Sequence, residues 1–174
     1  MKRKLTFEEN IFFAKKRLTD CIYACVKMEN IDVTFPQMKT VVDGHSAFSA
    51  VSASDIKKIS NLHNAWLYML ETVQQPLTVE YAGRVSSYLA NNENALTADY
   101  TDAVTFFLKA YREGGKCAGL ICANKLLIQS GSGLLIITQK QIPAFNTVME
   151  EFCKTNDYDR AMIFFSDKIL TIEF

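Results

Sequence analysis

The sequence predicts an all-α protein that folds as one compact domain. Apolar residues recur at the three- and four-residue spacing of helix faces through most of the 174 residues. Helix-start signals precede these runs, and only 7 glycines and 3 prolines interrupt them. Because 49% of the residues are hydrophobic, a chain of this length can bury a sizeable core, and two domains are not expected.

The first two helices are predicted from their start and stop residues. Thr6 and Glu9 have the spacing of a capping box, and apolar residues continue at helical spacing, so one long helix is expected from about residue 7 to 29. A short second helix is expected between Pro36 at its start and Gly44 after its end.

The third helix is predicted to begin at Ser52 and to end before the sequence QQP. Its apolar stripe consists of Ile56, Ile59, His63, Trp66 and Leu70. We expect Trp66 to lie in the core, and His63 to be a core or boundary residue, not a ligand.

The second half of the chain continues this helical pattern. Thr78 is expected to cap a fourth helix, and Thr97 to begin a fifth that ends at the Gly114-Gly115 turn. A sixth helix is expected from about residue 116 to 130.

The remaining elements are a short extended piece and two helices. The sequence LLIIT, residues 134–138, is short enough to be an extended piece. Pro143 lies near the expected start of one helix, and Asp157 is expected to begin the last.

Charge and apolar runs exclude several classes of partner. The chain has 19 basic and 19 acidic residues, so no net field attracts it to nucleic acid or to an anionic membrane. No apolar run approaches the roughly 18 residues of a membrane span, and the N-terminal residues lack a signal-peptide pattern. We therefore expect a cytoplasmic protein.

The five cysteines indicate thiols and not disulfides. Their number is odd, and they fall mostly within apolar helical patterns, so reduced, buried thiols are expected. Cys21 and Cys25 have an i, i+4 spacing that a metal pair could use, but no histidine is near them in sequence. No metal is expected there.

The sequence REGGK, residues 112–116, indicates an anion site. A helix N-terminus behind a glycine turn presents free N–H groups and the positive end of the helix dipole. A P-loop is excluded, because Ala110 stands where its first glycine should be and Cys117 follows Lys116. Phosphate binding at Glu113, Gly114, Gly115, Lys116 and Cys117 is the resulting hypothesis.

Four segments together resemble the Fic family, whose fold is called Fido. They are CVKMENIDVTFPQMKTVVDG, IKKISNLHNAWLYMLE, YREGGKCAGLICANKLLIQSGSGLLIIT and FNTVMEEF, and they cover nearly the whole chain. The resemblance implies a single helical Fido-like domain over residues 1–174. In that family the motif H-x-F-x-(D/E)-G-N-(G/K)-R-x-x-R forms the site of protein AMPylation, the transfer of AMP from ATP to a hydroxyl group.

The motif is only partly retained. Tyr111 stands at the phenylalanine position, Glu113 at the acidic position associated with magnesium, Gly114 at the glycine and Lys116 at the Gly-or-Lys position.

Four other motif positions are altered. Lys109 replaces the catalytic histidine, Gly115 the asparagine, Cys117 the first arginine and Leu120 the second. A lysine with its usual pKa of about 10.4 is a poor general base. Cys117 and Leu120 supply neither the charge nor the forked donors that arginine offers to phosphate.

The region that precedes the motif is shortened as well. Fic proteins carry there a flap that aligns the target segment, and this chain has no room for one. Positioning is a large part of what such an enzyme contributes. The resemblance therefore implies a degenerate, inactive domain with no catalytic residue.

The end of the first predicted helix resembles a regulatory element of Fic proteins. Their inhibitory helix carries (S/T)-x-x-x-E-(G/N), and CVKMEN keeps Glu29 and Asn30 with Cys25 at the serine position. With Leu120 in place of the arginine, Glu29 needs another partner, such as Lys116, a backbone donor or water. An ordinary glutamate at a helix end is the equally weighted alternative.

Two function classes follow from these expectations. The first is a pseudoenzyme that binds or regulates a protein, such as a Fic enzyme or its target. The second is a residual protein AMP transferase (adenylyltransferase) or a weak nucleotide-binding protein that uses Glu113 and Lys116. No cofactor is expected, and any binding of ATP with magnesium, through Glu113, should be weak. The resemblance also allows a homodimer.

Overall fold

The computed structural model describes residues 4–45, 51–89 and 102–168. Within these ranges the chain forms nine helices joined by turns and short connections, which confirms the all-α fold class. The helices are α1 (Phe7–Lys16), α2 (Leu18–Met28), α3 (Phe35–Val42), α4 (Ala53–Glu71), α5 (Val79–Tyr88), α6 (Ala103–Arg112), α7 (Lys116–Gln129), α8 (Ile142–Thr155) and α9 (Tyr158–Lys168).

Most of the predicted helix starts are confirmed by their cap geometry. Thr6 and Glu9 form a reciprocal capping box at α1. Ser52, Thr78 and Asp157 each accept a hydrogen bond from a backbone N–H in the first turn of α4, α5 and α9. Local side-chain acceptors satisfy N–H groups that the helix itself leaves unpaired, so these starts are readable from sequence.

The fifth helix is predicted to begin at Thr97. That residue lies outside the described part of the chain. The described helix α6 begins at Ala103, where Asp102 Oδ1 accepts a hydrogen bond from the Thr105 N–H at 2.8 Å. Asp102 is therefore the N-cap of α6.

The single helix predicted from 7 to 29 was wrong in its continuity. The structure divides it at Arg17, whose dihedral angles of φ −101° and ψ 7° lie outside the helical region. The side chain of Arg17 pairs with Asp20 at 2.9 Å. No glycine or proline marks this break, so the sequence pattern does not reveal it.

Helix α7 is the central helix of the described residues. It packs against α1, α2, α4, α5 and α6. Every residue from 117 to 125 is buried, so α7 has no solvent face over that stretch. A helix that is buried on all sides needs apolar or internally paired side chains around its whole circumference.

The N-terminal segment runs antiparallel to α7. The Leu5 N–H donates to the Gly131 carbonyl at 3.0 Å. The Asn10 side-chain amide donates to the carbonyls of Leu127 and Ile128, in the last turn of α7, at 3.1 and 3.3 Å. Because α1 lies beside the C-terminal end of α7, the following helix α2 reaches its N-terminal end.

Helices α6 and α7 are in the closest contact, and Gly119 permits it. A Cβ atom added to Gly119 would lie 2.5 Å from the Cβ atom of Ala110. Neither atom can move without its backbone. The glycine therefore sets the distance between the two helices that form the predicted site.

Gly119→Ala is expected to lower the free energy of unfolding by about 1–2 kcal/mol, because overpacking outweighs the roughly 1 kcal/mol that alanine gains in helix propensity. Urea denaturation followed by circular dichroism measures this change. The matched control is Gly83→Ala in α5, where an added Cβ meets nothing within 4 Å. That control should be stabilised by about 0.5–1 kcal/mol. Equal behaviour of the two variants would refute the close contact.

Lys125 of α7 is a fully buried lysine that caps α4. Its ammonium group donates to the Thr72 carbonyl at 3.2 Å and to the Val73 carbonyl, and it lies 4.4 Å from the centre of the Tyr81 ring. Cations are favourable at the C-terminal end of a helix and over an aromatic face. Burial lowers the pKa of Lys125 to about 8.

The depressed pKa of Lys125 predicts a pH dependence of stability. Between pH 8 and 10 the unfolded chain binds more protons at this lysine than the folded chain does, so its contribution to the free energy of unfolding rises with pH. We expect wild type to gain stability relative to Lys125→Met across this range. Denaturant unfolding at several pH values measures the difference, and Lys57→Met, an exposed lysine of α4, controls for lost charge. A constant or falling difference would contradict the prediction.

Residues 134–138 form no helix, as predicted. Leu134, Leu135, Ile136 and Ile137 are buried. Asn124, fully buried in α7, holds this segment by donating to the Leu135 carbonyl at 3.1 Å and accepting from the Leu135 N–H at 2.8 Å. One side-chain amide thus replaces the backbone partner that a neighbouring strand would provide.

Candidate functional site at the start of α7

The turn between α6 and α7 has the geometry that the sequence predicts. Gly114 has a positive φ of 95°, which favours glycine. Its N–H donates to the Tyr111 carbonyl at 3.2 Å, and the Gly115 N–H donates to the Ala110 carbonyl at 2.9 Å. This is a Schellman motif, in which two glycines end α6 and reverse the chain into α7.

The end of α2 has the same geometry and lies beside the same helix start. Asn30 has a positive φ of 53°, and the Ile31 N–H donates to the Val26 carbonyl at 3.0 Å. This turn places Glu29, the last position before Asn30, next to the first turn of α7. Asparagine is one of the few residues other than glycine that adopt this conformation readily.

The central contact of the site joins Cys117 to Glu29. The Cys117 thiol is 1% exposed and donates to Glu29 Oε1 at 3.3 Å, with the Cys25 carbonyl oxygen 3.6 Å from the same sulfur. The N-cap residue of α7 is Gly115, which has no side chain to cap the helix. A carboxylate therefore lies at the positive end of the α7 dipole, where negative charge is favoured.

This partner of Glu29 differs from those that the sequence suggested. The ammonium group of Lys116 lies 5.1 Å from the centre of the Tyr111 ring, as in a cation–π interaction. Burial raises the pKa of Tyr111 to about 12, so its phenol is neutral at physiological pH. Sequence reasoning did not consider the thiol at the first arginine position as the partner of Glu29.

The other predicted site residues differ in how far they are buried. Glu113 and Gly114 are exposed on the turn, and Lys109 is partly buried. Leu120, at the second arginine position, is a fully buried apolar residue and supplies no charge there. The structure thus brings Glu29 and Cys117 together and leaves Glu113 in solvent.

A cavity opens beside the Glu29–Cys117 contact. It encloses about 400 Å³ including its open mouth. We call it the α2–α4 cavity, and its described lining residues are Glu29, Ile31, Lys58, Leu62, Leu89 and Cys117.

Lys58 is the functional candidate that sequence reasoning missed. Lys58 and Leu62 are four residues apart in α4, which shows that they share a helix face. The spacing does not say which element covers that face. Only the packing of α2 and α4 places a lysine at the cavity that Glu29 lines.

Four of the five cysteines and His63 have their predicted structural roles. Cys21, Cys25, Cys117 and Cys122 are buried free thiols, and Cys153 is an exposed one. Burial raises the pKa of Cys21. Burial also lowers the pKa of His63, which is partly buried on α4 as a boundary residue.

The described residues contain neither a metal-binding cluster nor a helix that could span a membrane. Among residues 4–45, 51–89 and 102–168, no group of three histidine, cysteine, aspartate or glutamate side chains is placed to hold a metal ion. In the same ranges no helix combines the length and apolar character needed to cross a bilayer.

Comparisons with known proteins found no matching family model, no matching curated protein and no matching solved structure. The resemblance to Fic proteins therefore stays a prediction from the quoted sequence segments.

Proposed function

We propose that this chain is a catalytically degenerate Fic-like protein that binds or regulates a protein partner and does not transfer nucleotides. The observation that carries the proposal is the contact between the Cys117 thiol and Glu29 Oε1 at 3.3 Å. A nucleotide phosphate bound at the start of α7 would lie next to this carboxylate. Like charges at such short range repel strongly in a partly buried site.

The side chains around the turn support the same proposal. The general-base position is occupied by Lys109, and the two phosphate-binding positions by Cys117 and the buried Leu120. Neither Cys117 nor Leu120 can neutralise the charge that develops on a transferring phosphoryl group. The motif retains as hydrogen-bond donors the Lys116 ammonium group and the backbone N–H groups at the start of α7.

The first test measures catalysis directly. Radiolabelled ATP incubated with the chain and a cell lysate should give no incorporation of AMP into this chain or into other proteins. Incorporation that disappears in the Glu113→Ala variant would instead support a residual adenylyltransferase. The partner proposal is tested by adding the chain to an active Fic protein and measuring whether its rate of AMP transfer changes.

The second test measures nucleotide binding. Thermal-shift titrations with ATP, ADP, GTP and UTP, with and without magnesium, should give dissociation constants no tighter than roughly millimolar. Glu29→Gln removes the charge next to the α7 N-terminus and should bind ATP several-fold more tightly than wild type. Micromolar binding by wild type that is lost in Lys116→Ala would contradict the proposal.

A further inference from the structure

A row of three tyrosine rings lies across the surface between α4 and α5. The Tyr68 ring of α4 contacts two rings of α5, with its centre 5.4 Å from that of Tyr81 and 5.3 Å from that of Tyr88. The ring planes are tilted by only 32° and 33°, so neighbouring rings are closer to parallel than to edge-on. Tyr81 is buried, Tyr68 is partly buried and Tyr88 is exposed, so the row extends from the core to the surface.

The row borders an open groove, which we call the tyrosine groove. Its lining includes Tyr68, Gln75, Pro76, Glu80, Tyr81 and Arg84. The Tyr68 phenol, the Gln75 amide and the Arg84 guanidinium are hydrogen-bond donors. The groove therefore suits a ligand that combines apolar rings with carbonyl oxygens.

The inner end of the groove is held rigidly. The Thr72 hydroxyl donates to the Tyr68 carbonyl at 2.6 Å, so the Tyr81 phenol is the donor in its 2.8 Å bond to Thr72 Oγ1. The Lys125 ammonium group lies 4.4 Å from the centre of the Tyr81 ring. A surface whose side chains are already fixed loses little conformational entropy when a partner binds.

The length of the tyrosine row matches one turn of a polyproline II helix. Tyr81 and Tyr88 are two helical turns apart in α5, which corresponds to about 10 Å along the helix axis. In polyproline II, prolines three residues apart lie on the same side of the segment and about 9 Å from each other. Segments of this conformation dock in grooves lined by aromatic side chains. The two ends of the row therefore have the spacing of a Pro-x-x-Pro segment.

The charge of the groove indicates an acidic residue in this segment. Arg84 is exposed and lies on the same face of α5 as Tyr81 and Tyr88. Within the described ranges no carboxylate forms an ion pair with it. Glu80, the acidic lining residue, lies in the first turn of α5, where the helix dipole favours a carboxylate. The dipole gives no such reason for Arg84, so this guanidinium is the charge available to a partner.

We propose that the tyrosine groove docks a Pro-x-x-Pro segment of a protein partner, in polyproline II conformation and with an acidic residue between its prolines. The tyrosine row receives the two proline rings, Gln75 donates to a backbone carbonyl of the segment, and Arg84 pairs with its carboxylate. This inference rests on the proposed function for the existence of a protein partner, and it names the docking surface and the segment recognised.

The first experiment titrates the full chain into fluorescein-labelled peptides and measures fluorescence anisotropy. One peptide has the core Pro-Glu-Leu-Pro between glycine and serine residues, and the others replace its glutamate by lysine or glutamine, or both prolines by alanine. The glutamate peptide should bind about 5-fold more tightly than the lysine peptide and about 10-fold more tightly than the alanine peptide, with the glutamine peptide intermediate.

Three results of this titration would overturn the inference. The first is no saturable binding of the glutamate peptide up to roughly millimolar concentration. The second is an alanine peptide that binds as tightly, which would remove the requirement for prolines. The third is a lysine peptide that binds as tightly or more tightly, which would remove the role of Arg84.

Two variants test the assigned side chains. Arg84→Gln should weaken the glutamate peptide about 5-fold and leave the glutamine peptide unchanged. Tyr88→Ser should weaken every proline-containing peptide about 10-fold. Both side chains are exposed, so both variants should fold, which circular dichroism checks. The matched controls are Lys57→Gln, a lost charge on α4, and Ile163→Ser, a lost apolar group on α9, both at exposed positions outside the groove. Equal losses in a variant and its control would refute the assignment.

Nuclear magnetic resonance locates the bound peptide. In a chain with carbon-13-labelled tyrosine, the ring signals of Tyr68 and Tyr88 should shift when the glutamate peptide binds. The ring of Tyr158, packed 5.0 Å from that of Phe152, should not shift. Shifts at Tyr158 alone would place the peptide elsewhere and reject the inference. A dimer that Tyr88→Ser dissociates, seen by analytical ultracentrifugation, would assign the groove to a second copy of the chain and overturn it as well.

The inference and the proposed function can fail separately. A chain that changes the rate of an active Fic protein but binds no Pro-Glu-Leu-Pro peptide would keep the proposed function and reject the docking surface. A chain that transfers AMP and also binds the peptide through Arg84 would reject the proposed lack of catalysis and keep the docking surface.

Discussion

Trp66→Ala is expected to lower the free energy of unfolding by about 3–5 kcal/mol, the usual cost of truncating a fully buried tryptophan. Trp66 is 1% exposed and lies on α4, which packs against α2, α3, α5 and α7. In a domain of this size the melting temperature should fall by roughly 6–20 °C. Differential scanning calorimetry measures both quantities.

Two companion variants test the physical origin of this loss. The Trp66 indole N–H is buried and has no hydrogen-bond partner among the described residues, so Trp66→Phe removes a buried polar donor along with some apolar area. Its cost should stay below about 1.5 kcal/mol. Asn64→Ala, at an exposed position of the same helix, should change stability by no more than about 0.5 kcal/mol. A melting temperature for Trp66→Ala equal to that of wild type would contradict the packing of α4.

Asn124→Leu is expected to cost about 2–6 kcal/mol, because it leaves two buried backbone groups of Leu135 unpaired at about 1–3 kcal/mol each. Leucine has a similar volume, so the loss reports hydrogen bonding and not a cavity. The fully buried Asn124 makes both bonds to Leu135, at 3.1 and 2.8 Å. Urea denaturation measures the loss of stability.

Hydrogen exchange shows where the loss arises. The amide of Leu135 should exchange faster in Asn124→Leu than in wild type, since its acceptor is removed. Asn146→Leu makes the same chemical change at an exposed position of α8 and should alter stability by no more than about 0.5 kcal/mol. Unchanged exchange at Leu135 would show that Asn124 does not hold the 134–137 segment.

Local chemistry made most of the helices predictable. Thr6, Ser52, Thr78 and Asp157 pair with N–H groups within the next three residues, so the information needed to place these helix starts is contained in a short stretch of sequence. The turn at Gly114 was predictable for the same reason, because a positive φ restricts the choice of residue at one position.

The break at Arg17 was not predictable in this way. It carries no glycine or proline, and the hydrogen bonds from Arg17 to Phe13 and from Cys21 to Arg17 continue across it. The two halves contact different ends of α7, which is a property of the packed molecule. A pattern of apolar residues cannot distinguish one straight helix from two that share its spacing.

The sequence by itself determined the all-α class, most helix starts and the glycine turn, since each depends on residues within one or two helical turns. Only the tertiary structure decided that Glu29 meets the Cys117 thiol, that Lys58 lines the same cavity and that Lys125 caps α4. Glu29 and Cys117 are 88 positions apart along the chain. Contacts of this kind are set by which helix faces pack together, and packing is decided by the whole core at once, because a close-packed interior leaves each side chain few alternative positions.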